Sequence, residues 1–597
     1  MSHQLYTQWG KEQDSQHVLE EYPRPQFVRE SYKNLNGVWD YAITCEENFP
    51  AQYQGQIVVP FSPECTLSGV NRQLQPEEYL HYRRSVDVDE DWMQGEVLLH
   101  FGAVDQICEI YVNGHPVGKH TGGYLPFSFY IQEFLQVGEN ILQLTVQDMS
   151  DTSYHSKGKQ SLEPGRMWYT AQSGIWQTVW MEQVPLLHAE NIKIDPDYDG
   201  KSVTVKVFSH ERRRGKGSLE VLFAGQRVAI TNFETNMACK IELPEVISWS
   251  PEEPNLYDLV ITLGEDRIRS YFAMRKFSVA RDARGIRRFF LNNQPYFLHG
   301  VLDQGYWPES LYTPPSDEAM TFDIQSMKSL GYNLLRKHIK VEPARWYMHC
   351  DRIGMVVWQD MVNGGTRYPY NFVTVMPNIM NITCRHIKDD KYRILSRNDV
   401  AGREEYYTEL HDMIKALYNV PCIAAWVPFN EGWGQFDAKE ATLMVRKLDA
   451  GRLIDEASGW FDQGGGDVYS IHNYWFKLKN KPKNRMVALT EYGGYAMPVP
   501  EHIYGEVTFG YRIYRNKETL TERYVRLMRE EIIPNIARGL STTVYTQLSD
   551  VEAEVNGLLT YDRELVKMDI DTVKEINAAV FDAFRCCVET QEDKDCE

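Results

Sequence analysis

From about Asp282 onward the chain alternates short apolar runs with helical patterns, and this alternation restricts its fold more than any other feature. Strand-like runs begin at Tyr296, Asn333, Met355, Cys422, Leu453, Val468, Met486 and Thr542. Helix-period segments lie between and after them at 317–330, 343–352, 403–418, 438–448, 524–537 and 572–585. Strand–helix alternation implies βαβ units and a parallel sheet. Eight such strands in about 310 residues predict a (β/α)8 barrel with insertions. Residues 362–400 fit neither pattern, which predicts a long loop over the barrel mouth.

Two strand ends carry chemistry. The fourth run, Cys422-Ile-Ala-Ala-Trp-Val-Pro-Phe429, is continuously apolar, as strands buried on both faces are, and stops at Asn430-Glu431-Gly432. The seventh, Met486-Val-Ala-Leu-Thr490, stops at Glu491-Tyr492-Gly493-Gly494. A glutamate at a strand end ordinarily begins a solvated loop. Two of them on the carboxyl-terminal rim of one barrel, where active sites of this fold lie, are what glycoside hydrolysis requires, one as acid/base and one as nucleophile or base.

The rest of the chain is β-rich. Up to about residue 180, period-2 runs such as Glu96-Val-Leu-Leu-His-Phe101 and Asn140-Ile-Leu-Gln-Leu-Thr-Val146 predict an antiparallel sandwich of jelly-roll type, and Asn113-Gly114 marks a hairpin. Residues 186–279 repeat the grammar in the length of an immunoglobulin-like unit. The expected division is a jelly-roll β-sandwich at 1–183, an immunoglobulin-like β-sandwich at 184–281 and a catalytic barrel at 282–597. The charged stretch from Glu211 to Gly217 reads as a solvated loop.

A net charge of −20 without a basic patch argues against nucleic acid or anionic membranes as partners. The ten cysteines form no CxxC pair, which predicts reduced thiols. The start shows no basic and apolar leader, and no stretch reaches the ~18 apolar residues of a membrane span. These features lead to the expectation of a cytoplasmic protein.

The neighbours of the glutamates make the pair specific. Asn430-Glu431-Gly432-Trp433-Gly434, Thr490-Glu491-Tyr492-Gly493-Gly494 and the sandwich-closing Gly174-Ile-Trp-Gln-Thr-Val-Trp180 resemble glycoside hydrolase family 2, the β-galactosidase, β-glucuronidase and β-mannosidase group of retaining glycosidases, over nearly the whole chain. The resemblance implies that Glu431 is the acid/base, Glu491 the nucleophile and Asn430 the contact to the substrate's 2-hydroxyl. Arg336, in Asn333-Leu-Leu-Arg-Lys-His338, matches the family's arginine, and a cation there keeps a nucleophile ionised. His338 resembles a site histidine at altered spacing; a neutral ring bracing the loop is the alternative. His472, Tyr474 and Trp475 resemble the clan's residues near the nucleophile, with Tyr474 bonding Glu491 and Trp475 flooring a subsite. Asp303 stands where relatives place sugar contacts, and Trp358 where a pocket wall falls; Asp360 reads as a loop cap.

The expected activity is that of a retaining exo-β-glycosidase, with β-galactoside first among substrates. β-Glucuronides, β-mannosides, α-L-arabinosides and β-galactofuranosides are the alternatives. The glucuronidase option wants an Asn-x-Lys pair after the nucleophile, a spacing that Asn516-Lys517 lacks. A barrel that binds carbohydrate without turnover is the rival of another class. No metal motif is present; some relatives use Mg²⁺ or Na⁺, and many assemble as homo-oligomers.

Overall fold

The computed structural model describes residues 5–210, 212–369, 371–378 and 387–588. Cys384, Cys596, Glu211 and part of the 362–400 loop lie outside the described residues.

The first unit packs a four-stranded antiparallel sheet against a six-stranded one. Alternation in its strands decides the core: in Ile107–Val112 every second residue is buried, and Trp39, Tyr82, Leu99, Ile110 and Leu144 meet between the sheets. The second unit pairs a three-stranded sheet with a four-stranded one, again antiparallel, around Val205, Leu219, Leu259 and Ile268. Both follow the two-layer logic of sandwiches. A three-stranded meander (Phe277–Arg281, Arg287–Leu291, Gln294–Pro295) then leads into the third unit. Its buried Arg288 donates to the carbonyls of Ile536 and Leu540 at 2.9 and 2.6 Å and pairs with Asp282.

The third unit contains eight parallel strands: β1 (Leu298–Asp303), β2 (Leu334–Lys337), β3 (Val356–Asp360), β4 (Ile423–Val427), β5 (Leu453–Ile454), β6 (Val468–Asn473), β7 (Met486–Gly493) and β8 (Leu540–Thr546). Their order is 5-4-3-2-1-8-7-6, so the ladder curls nearly into a barrel and stays open between β5 and β6. Helices follow β1 (α1, Asp317–Ser329), β2 (α2, Ala344–Ile353), β3 (α3, Val400–Leu417), β4 (α4, Ala438–Leu448), β7 (α5, Lys517–Leu527) and β8 (α6, Ile570–Val588). Local capping starts several of them: the Ser316, Asp399 and Asn516 side chains accept from the backbone three residues on. β5 is shorter than the run beginning at Leu453 suggests. It breaks after Ile454, and Ala457–Ser458 pairs separately with Phe429–Asn430. Among the described residues no helix is long and apolar enough to cross a membrane.

Candidate active site

β4 is buried on both faces, and Pro428, which has no N–H for a ladder, ends it. The chain then runs through Phe429–Asn430 into a tight turn. Glu431 takes a left-handed backbone (φ 50°), and its N–H donates to the Ser458 carbonyl at 2.9 Å. Gly432 follows at φ 74°, where a Cβ would lie 2.5 Å from the Phe461 ring. Such strained backbone clusters at functional sites. On the opposite side, β6 and β7 shift register between Ile471 and His472, and β7 and β8 between Leu489 and Tyr492. Bulges of this kind re-aim side chains. His472 thereby pairs with Glu491.

The two glutamates meet. Oxygens of Glu431 and Glu491 and a His472 ring nitrogen lie within 4.8 Å of one another, and all three residues are buried. Their surroundings differ. Glu491 accepts from Arg336 Nη1 at 3.2 Å and from the Tyr474 hydroxyl at 2.6 Å. Tyr474 stacks on Tyr511 with ring centroids 3.8 Å apart and reaches Thr546 at 3.0 Å. Glu431 Oε1 lies 2.7 Å from His472 Nδ1, whose other nitrogen lies 3.0 Å from the Ser458 hydroxyl.

Arg336 is the hub. Its guanidinium, fully buried, donates to Asp360 through two nitrogens at 3.0 Å each, to Glu491, to the Thr490 carbonyl at 3.2 Å and to Asn430 Oδ1 at 2.8 Å. Asp360 is therefore more than a loop cap: it holds the arginine in a bidentate fork and stands 2.9 Å from His338 Nδ1. With Oδ1 given to Arg336, Asn430 keeps a buried Nδ2 without a protein partner among the described residues.

Burial sets the protonation. It pushes Glu431 up to about 7, against the pull of Lys159 and Arg336 and with a push from Glu554. It also raises Glu491, opposed by His472 and Arg336 and by the Tyr474 hydrogen bond. His472 is lowered to about 4 by burial, and His338 lies well below its ordinary value for the same reason, so both rings are neutral at neutral pH.

The structure gathers Glu431, Glu491, Asn430, Arg336, His472 and Tyr474 into one network and treats the other expected residues differently. His338 braces Asp360 as a neutral ring. Asp303 spends its carboxylate inside the protein, accepting from Lys337 Nζ at 2.6 Å and from the Gly305 N–H at 2.9 Å. Asp303 and Glu342 together compensate the buried Lys337 ammonium, which would otherwise be costly. Trp358 is fully buried in the barrel core. Trp475 is 46% exposed, beside Tyr511.

Sequence reading missed the contribution of the first sandwich. Its segment 156–170 reaches over the barrel: Lys157 and Gly158 donate backbone hydrogen bonds to the Asn363 carbonyl, Tyr169 donates to Glu554 at 2.5 Å, and the Thr170 N–H donates to Glu552 at 2.9 Å. Met167 joins Ile339, Val373, Leu395, Trp433, Trp460 and Phe461 in an apolar cluster, and Trp168 packs 5.1 Å from Trp433. The described part of the 362–400 loop packs directly against this segment and the residues just before it: the Gly365 N–H donates to the Tyr154 carbonyl at 2.8 Å, and Trp168 lies 5.8 Å from Tyr368. The only sequence sign of the sandwich's approach is the run Met167-Trp168-Tyr169, aromatic within a polar loop. A separate cavity of about 760 Å³ lies where both sandwiches meet the barrel, lined by Arg24, His100, Trp176 and Glu409 and by neither glutamate of the pair.

Among curated proteins, the β-galactosidase of Thermoanaerobacter pseudethanolicus is 24% identical over 442 residues, 70% of this chain and 54% of that protein. The chain spans about half the length of the first curated relatives it matches, 54% and 44%. Solved structures align more completely. A β-glucuronidase from an uncultured Clostridium species has a TM-score of 0.71 at 18% identity, covering 93% of this chain and 99% of that one. A family 2 β-galacturonidase from Eisenbergiella tayi, bound to galacturonate, gives 0.68 at 18% identity, with coverage of 94% and 99%. At such identity the likeness is one of fold. Three family models match in succession: the sugar binding domain of glycosyl hydrolases family 2 at 69–185, the family 2 domain proper at 187–275 and its TIM barrel domain at 284–499. With that order of domains and this pair of strand-end carboxylates, the chain belongs to glycosyl hydrolase family 2.

Proposed function

We propose that the protein is a retaining, exo-acting β-glycosidase. The observation that carries this is the pair of carboxylates, Glu431 and Glu491, close together and unlike in their surroundings. Retention requires carboxyl groups about 5–5.5 Å apart, and inversion about 6.5–9.5 Å; oxygens within 4.8 Å favour retention. Glu491, bonded by Arg336 and Tyr474, attacks the anomeric carbon while Glu431, protonated near neutral pH, donates to the departing oxygen. Glu431 then takes a proton from water, which displaces Glu491 and releases the sugar with its β configuration. Asn430 Nδ2 bonds the 2-hydroxyl. The sandwich segment and the 362–400 loop pack together beside the pair, around Met167, Val373, Leu395 and Trp433, and crowding of this kind on one side suits removal of terminal sugars.

For the sugar, a β-uronide, glucuronide or galacturonide, has more support than the neutral β-galactoside that leads the sequence reading. The curated relatives named β-galactosidase align over only part of their length, whereas the Clostridium and Eisenbergiella structures, which match nearly end to end, are named β-glucuronidase and β-galacturonidase. The test is hydrolysis of 4-nitrophenyl β-glycosides by the wild type and by Glu431→Ala and Glu491→Ala. Uronide turnover above that of galactoside supports the reading; a wild type that cleaves no aryl glycoside overturns it.

A further inference from the structure

The barrel's own buried lysines at this rim have acceptors: Lys337 takes Asp303 and Glu342, and Lys340 takes Glu342 and the carbonyls of Gly305 and Tyr312. Lys159, contributed by the first sandwich, has none. It is 5% exposed, and its ammonium makes no hydrogen bond or ion pair with any described residue. It stands 5.3 Å from the Tyr169 ring and 5.9 Å from the Trp433 ring, two residues beyond Glu431. Its charge acts on Glu431 and on His338. Lys157, two residues earlier, faces Tyr368 instead.

The position of Lys159 is built, not incidental. Its carbonyl accepts from the Tyr169 N–H at 2.9 Å, and the side chain of the next residue, Gln160, donates to Asp105 and to Tyr124 at 2.8 and 2.9 Å. A 5% exposed lysine whose ammonium has no hydrogen-bonding acceptor among the described residues is costly to bury. The aromatic faces around it offset part of that cost, and an anionic group on a bound ligand offsets the rest. Such a site rejects analogues that lack the group, because binding them leaves the charge buried and unpaired.

We propose that Lys159 reads the carboxylate of the sugar, so that selection of a uronic acid comes from the first sandwich and catalysis from the barrel. This rests on the uronide reading above. In the 597-residue chain, Lys159→Gln lowers kcat/KM for 4-nitrophenyl β-D-glucuronide or β-D-galacturonide by about 100-fold or more relative to the β-D-xyloside and β-D-galactoside. The loss falls mainly in KM, and inhibition by free D-glucuronate or D-galacturonate weakens in step. Lys159→Arg, which keeps the charge, restores much of the uronide preference, and its recovery separates recognition from misfolding.

Removing this charge also lifts the Glu431 pKa, so rates are compared at each variant's own pH optimum. A shifted alkaline limb with an unchanged uronide-to-neutral ratio overturns the proposal and assigns Lys159 to Glu431 alone. Equal losses on both sugar classes overturn it as well. If the wild type itself prefers neutral glycosides, the uronide reading fails, and the wild-type panel shows that before any variant is made.

Discussion

Glu431 and Glu491 are the same residue type, on the same rim, both buried and with oxygens within 4.8 Å, yet their environments differ, and in the proposed mechanism that difference divides the work between them. Glu491 is held by two strong donors, the Arg336 guanidinium and the Tyr474 hydroxyl. Among the described residues the Glu431 carboxylate has one side-chain hydrogen-bond partner, the neutral His472 imidazole, and it feels its cations from further away. Burial raises both pKa values, and donors aimed at one carboxylate favour its ionised form. What assigns roles is therefore the number of donors each oxygen receives, rather than depth.

The sharpest way to break this comparison is to delete each acid. Glu491→Ala should lose about 10⁵-fold or more in kcat, the scale of removing a covalent nucleophile, and azide should restore turnover with an inverted product. Glu431→Ala should lose on the order of 10²–10⁴-fold, with the smaller loss on aryl leaving groups that need little protonation. Equal losses, insensitive to leaving group, would remove the distinction.

Arg336→Met probes the hub. It strands Asp360 as a buried charge, so the unfolding free energy should fall by about 3–5 kcal/mol in a denaturant titration, together with activity. Tyr474→Phe removes one charge-assisted hydrogen bond from Glu491 alone. A cost of about 1.5–3 kcal/mol corresponds to a drop of about 10–150-fold in kcat/KM, with stability nearly kept.

The mildest effect sharpens the comparison by pH. The folded-state pKa of Glu431 lies at about 7, above its ordinary value of 4.5. Its contribution to stability is thus complete below about pH 4.5 and is lost as pH rises through 7. Glu431→Gln, always neutral, should therefore be more stable than the wild type at pH 8, by up to about 3 kcal/mol, with the gain shrinking as pH falls and gone below about pH 4.5. In the wild type the same ionisation should make kcat/KM fall as pH rises through about 7.

Much of this was readable from the chain, for a physical reason. Strands buried on both faces are continuous in apolar residues, so β4 and β7 and the glutamates ending them stand out locally. The Arg336 and Tyr474 partnerships followed from motif resemblance. Contacts made across long sequence separations left no local trace. Nothing near Asp360 announces the fork it forms with Arg336, and nothing near Lys159 announces Glu431. Asp303, expected from the resemblance as a sugar contact, has its carboxylate bonded by Lys337 and by the Gly305 N–H, partners that nothing in its own motif announces. The early end of β5 reflects pairing of Ala457–Ser458 with Phe429–Asn430, a tertiary choice that no pattern within the run encodes.

The division of labour between the carboxylates is tested most directly by trapping. Incubation with a 2-deoxy-2-fluoro β-glycosyl fluoride of a sugar the enzyme accepts, followed by peptide mass spectrometry, should place the glycosyl label on Glu491. A label on Glu431, or steady turnover to a product of inverted configuration with no label at all, would contradict the account.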